Sequence, residues 1–156
     1  MQNLQKKDIE KISTLTDSYS RERWDMEHTI IFVKTTTFGN ALCKALEGAG
    51  LGLTFFRHHI TTPEAFCAKL LRGNATKVGL PSTFTILEAG EVRQNNSQVY
   101  TIELVPRCIE LLKRYPEVEK RMEEWFPLTL TEDGEHYSTE TEKMYTILTK
   151  YLSNNG

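Results

Sequence analysis

Residues Thr29-Ile30-Ile31-Phe32-Val33 form an unbroken apolar, β-branched run. A strand with one face in water alternates apolar and polar residues, and this one does not. It reads as a strand buried on both faces, central in its sheet. The rest of the chain must then supply neighbouring strands and covering helices. At 156 residues, 39% of them hydrophobic, the chain can build one sizeable core, and one domain is expected.

The elements after this strand follow from periodicity and punctuation. Thr35 to Asn40 reads as a polar loop, and Ala41 to Ala49 as a helix with Leu42, Ala45, Leu46 and Ala49 on one face, ended by Gly48 and Gly50. Leu53 to Arg57 reads as a second strand. Thr62 then precedes Pro63, an N-cap residue before proline at the first helical position, opening a helix over Glu64 to Leu71. Strand, helix and strand in this order imply a parallel pair. Ser82 to Leu87, the turn Ala89-Gly90 and the return Glu91 to Arg93 read as a hairpin, with a further strand over Gln98 to Leu104. The expected fold is α/β, with a mixed sheet of four to five strands flanked by helices. Residues 1–27, with Leu4, Ile9, Ile12 and Leu15, form a leading helix or an arm. Residues 28–105 form the core. Residues 106–156 form a helical C-terminal extension of the same domain, with helices opened by Pro106 and Pro116 and a last one over Ser138 to Leu152. Residues 128–137 read as a polar connecting loop.

Charge and cysteine usage narrow the function classes. The 19 basic and 21 acidic residues are interspersed, so no global field attracts nucleic acid or an anionic membrane. No window reaches the roughly 20 apolar residues of a membrane span, and no secretory leader is read, so a cytoplasmic location is expected. Cys43, Cys67 and Cys108 are an odd number of widely spaced thiols, which fits a reducing compartment, and each is read as a core residue. No metal site is expected. His58 and His59 are adjacent, would project to opposite faces of a strand, and are read as separate surface histidines.

Three segments carry a resemblance. Val33-Lys34-Thr35-Thr36, followed by Thr37-Phe38-Gly39-Asn40 and a helix, resembles the start of a glutaredoxin, in which Lys-Thr-Thr precedes Cys-Pro-Tyr-Cys. Thr62-Pro63-Glu64-Ala65 through Leu70-Leu71-Arg72-Gly73 is similar to that family's second helix. Gly79-Leu80-Pro81-Ser82-Thr83-Phe84 is similar to its cis-proline segment. The resemblance spans residues 29–95 and implies a thioredoxin-like fold. Thr37 and Asn40 stand where the family carries cysteine. Disulfide exchange needs a thiolate attacking sulfur, so dithiol oxidoreductase activity is not expected.

By the same resemblance, Lys34, Thr35, Thr37, Phe38, Leu80 and Pro81 would line a ligand groove, with Lys34 on a carboxylate and the Leu80 backbone on a peptide. The alternative reading makes Thr37 the helix cap and Lys34 a solvated strand end. The leading functional expectation is a redox-inactive binding module, an adaptor or inhibitor working through contacts with another protein, in which a homodimer is one form of assembly. The second is a glutathione-binding enzyme of transferase type, with the Thr37 hydroxyl as the catalytic candidate in place of cysteine. No cofactor is required by the first, and glutathione would be the ligand of the second. The aromatic residues of the last 50 positions are expected mainly in the core, with Tyr137 left open as a partner contact.

Overall fold

The structure is a computed structural model that describes residues 4–52, 57–79, 85–86, 91–94, 98–101 and 104–155. The chain is mixed α/β and falls into two compact units, each made of separate stretches. Unit 1 holds Met1–Thr62 and Met122–Lys143, and unit 2 holds Pro63–Arg121 and Met144–Gly156.

Unit 1 is organised by β1 (Thr29–Phe32), whose four residues are all buried as the apolar run requires. It lies inside a sheet ordered β2-β1-β6-β7, where β2 is Ile60–Thr61, β6 is Leu128–Thr131 and β7 is His136–Ser138. β1 pairs in parallel with β2 and with β6, while β6 and β7 form an antiparallel hairpin. Residues 128–137 are therefore paired strands, not the polar loop expected. Leu128-Thr129-Leu130-Thr131 has the period-2 alternation of a strand with unlike faces. Leu128 and Leu130 join Ile31, Val33 and Ile60 in the core, packed beneath two helices.

Those helices are α1 (Lys6–Glu22) and α2 (Thr36–Gly48). On α1, Ile12, Leu15 and Tyr19 follow helical spacing into the core, whereas Ile9, expected on that face, is exposed. α2 buries Phe38, Leu42, Cys43 and Leu46. It begins five residues earlier than periodicity alone suggests, because its first two residues, Thr36 and Thr37, are polar and exposed. Gly39 lets this turn approach β1: a Cβ there would sit 3.2 Å from Val33 Cγ2.

Of the strand expected over Leu53 to Arg57, Leu53–Phe56 lie outside the described residues and Arg57 belongs to a 3-10 turn, Arg57–His59; Ile60–Thr61 is the segment that pairs in parallel with β1. His59 is correspondingly not a surface residue. It is 8% exposed, its Nδ1 lies 2.6 Å from the Met26 carbonyl oxygen, and its ring meets Phe126 edge-on. The side chain of His58 lies outside the described residues.

In unit 2, α3 (Pro63–Gly73) starts at the proline that the sequence marks. β3 (Thr85–Ile86), β4 (Glu91–Gln94) and β5 (Gln98–Thr101) form their own antiparallel sheet in that order. The hairpin therefore does not complete the sheet of β1 and β2, as the sequence reading expected; β6 and β7 occupy that role. α4 (Leu104–Arg114) begins ahead of Pro106, which is tolerated because first-turn N–H groups have no intrahelical partner. α4 packs against α3 and α6 (Met144–Asn155), the latter starting later than expected since Ser138 belongs to β7. The buried Glu119 carboxylate, on α5 (Pro116–Trp125), accepts the Tyr145 N–H at 3.0 Å and places negative charge at the α6 N-terminus.

Candidate functional site

The loop from β1 into α2 carries the residues singled out in the sequence. Val33 still pairs with the neighbouring strand, its N–H donating to the Thr61 carbonyl at 2.9 Å. The chain then turns through Lys34 and Thr35. Thr35, with extended backbone, is the N-cap of α2, and its Oγ1 accepts the Phe38 N–H at 3.1 Å. The cap is thus Thr35, not Thr37. Thr37 lies in the exposed first turn, where its hydroxyl has no capping duty.

A cavity of about 380 Å³ opens at this turn, wholly within unit 1. Lys34, Thr35, Thr37 and Phe38 line it, so four of the six expected groove residues share one pocket. Leu80 and Pro81, with the expected cis bond, lie outside the described residues.

The opposite wall comes from Leu4 and Gln5, just ahead of α1, and from Lys7, Asp8 and Lys11 on it. Lys7, Asp8 and Lys11 recur at helical spacing and share one side of the helix. The Asp8 carboxylate is engaged in the N-terminal capping box, accepting the Gln5 N–H at 3.0 Å.

Glu132 forms the floor. It follows β6 and is 4% exposed. Its Oε1 accepts the Lys34 N–H at 2.6 Å, and its Oε2 accepts from the Lys11 Nζ at 3.1 Å. Lys11 also reaches Asp133 at 3.0 Å. Burial pulls the Lys11 ammonium down, but hydrogen bonds to Asp133 and Glu132 outweigh it and hold its pKa above the ordinary value. The half-buried Lys11 ammonium is therefore paired with two carboxylates. Lys7 and Lys34, by contrast, have no ion-pair partner among the described residues.

The chemistry on offer is anion binding. Two lysine ammonium groups, the Thr37 hydroxyl and the positive end of α2 meet at one cavity. No thiol lines it. Cys43 is buried in the core of unit 1, and burial foremost pushes its thiol pKa up.

Comparison with protein-family models, with curated proteins and with solved structures finds no match to this chain. Among the described residues, no helix is long and apolar enough to cross a membrane.

Proposed function

We propose that this chain is a redox-inactive binding module, and that its β1–α2 pocket takes a carboxylate-bearing peptide segment of a partner protein. The observation that carries this reading is the cavity of about 380 Å³ with Lys7, Lys34 and Thr37 in its wall. That volume suits a few peptide residues or a small molecule, since such sites span roughly 300–1,000 Å³. The lysines favour an anion. The parallel β1/β2 pair with α2 between them in sequence supports a likeness to the thioredoxin-like build. The parallel sense of β6 and the separate hairpin sheet set this chain apart from the simple expectation.

Capture of partners from a cell lysate tests the reading, comparing the native chain with a Lys7→Glu/Lys34→Glu variant. A protein retained by the native chain and lost by the variant supports it. Equal retention by both removes the pocket from the function.

The exposed Thr37 hydroxyl in the same pocket favours a second reading, a glutathione-binding enzyme of transferase type. There the lysines would hold the glutathione carboxylates and Thr37 would donate to the thiolate. Conjugating activity that disappears in Thr37→Ala would select it over the binding module.

A further inference from the structure

The cavity at the β1–α2 turn has two walls, and each carries a lysine. Lys34 lies on the loop after β1, and Lys7 lies on α1, which contributes to the wall opposite. Both are exposed, and neither has an ion-pair partner among the described residues. The other charges of the lining are engaged. Lys11 is held by Glu132 and Asp133, and the Asp8 carboxylate accepts the Gln5 N–H. The N-cap residues of both helices, Gln5 of α1 and Thr35 of α2, also line the cavity. The positive end of α1 is answered by Asp8 in its first turn, whereas the first turn of α2 holds no acidic residue. The unanswered charge of the cavity is therefore that of two lysines on two different elements.

We infer that the pocket selects an acidic peptide segment bearing two carboxylates, and that Lys7 is the specificity-determining residue that reads the second of them. The inference rests on the anion-binding reading of the pocket, in which Lys34 takes the first carboxylate. One carboxylate brings one negative charge and leaves the other ammonium unanswered. A second carboxylate on the same ligand completes the charge balance, and its binding is helped because the first contact already holds it in the cavity. Lys7 thus sets which anion is preferred, while Lys34 sets whether an anion binds. A ligand held in this way bridges α1 and the β1–α2 turn. It adds to the link that Glu132 makes between Lys11 and the Lys34 N–H.

The test titrates the full chain with three probes of one length and follows the Lys34 and Thr37 amides by NMR. N-acetyl-glutamyl-glycine has two carboxylates, whereas N-acetyl-glutaminyl-glycine and N-acetyl-glutamyl-glycinamide have one each. The expected result is that the dicarboxylate binds about fivefold more tightly than either monocarboxylate, the worth of one exposed ion pair. Lys7→Ala should bring it to within about twofold of the monocarboxylates, the statistical advantage of two like groups, and leave their affinities unchanged. Lys7→Arg should keep the preference. Equal affinity of the three probes for the native chain would overturn the inference and leave the anion pocket standing, and so would a fivefold preference that survives Lys7→Ala. Shifts with none of the three would remove the anion pocket itself, and the inference with it.

Discussion

Glu132 accepts the backbone N–H of Lys34 at 2.6 Å, tying the loop after β1 to the end of β6 across 98 positions of sequence. The same carboxylate holds Lys11 of α1. Three elements that wall the pocket therefore meet on one buried side chain. Glu132→Ala should lower unfolding stability by about 1–3 kcal/mol, because the Lys34 N–H loses its acceptor and Lys11 its buried partner. Glu132→Gln keeps an acceptor and should lose less. Urea denaturation of the three proteins checks the order.

Thr35 and Thr37 differ in role although both are threonines of one loop. Thr35→Ala removes the cap of α2 and should destabilise by about 0.5–2 kcal/mol. Thr37→Ala touches no cap and should stay within about 0.5 kcal/mol of the native chain. Thermal melts of both variants distinguish them, and equal losses would contradict the assignment of the cap.

Asp25 and His28 form an exposed pair, Oδ2 to Nδ1 at 2.9 Å. The hydrogen bond raises the His28 pKa above 6.5 and lowers that of Asp25 below 3.8. The stabilisation from His28 is complete below its unfolded pKa and is lost as pH rises through its raised folded value. That from Asp25 is present above its unfolded value and lost as pH falls through its lowered one. Following the His28 ring by NMR should show a midpoint that drops toward about 6.5 in Asp25→Asn.

Tyr137 on β7 donates its hydroxyl hydrogen to the Glu135 carboxylate. Burial first, then this hydrogen bond and the nearby acidic groups, push its pKa up to about 12. The neutral phenol is favoured in the folded chain, so its contribution is complete below the ordinary value of 10.0 and is lost as pH rises through about 12. Ultraviolet titration of the six tyrosines should show a late phase near about 12 that is absent in Tyr137→Phe.

What the sequence disclosed depended on how local each signal was. β1 was legible because the unbroken apolar run Ile30 to Val33 admits one environment, and α3 because Thr62 and Pro63 punctuate its start. The Leu-Thr alternation of β6 was present but sat in a segment rich in turn residues, and its pairing with β1 is long-range. The same division holds in the pocket. Lys34, Thr35, Thr37 and Phe38 lie within one short loop and helix start and were found together. Lys7 and Lys11 share a helix side that periodicity could have revealed, but nothing local aims that side at the β1–α2 loop. Glu132 enters only through tertiary pairing.

The most direct measurement is an NMR titration with S-methylglutathione, a peptide-sized dicarboxylate with no free thiol. The account predicts saturable shifts concentrated at the Lys34, Thr35, Thr37 and Phe38 amides, weakened by salt and lost in Lys34→Ala. Absence of shifts at millimolar ligand, or shifts that persist unchanged in that variant, would contradict an anion-binding pocket at the β1–α2 turn.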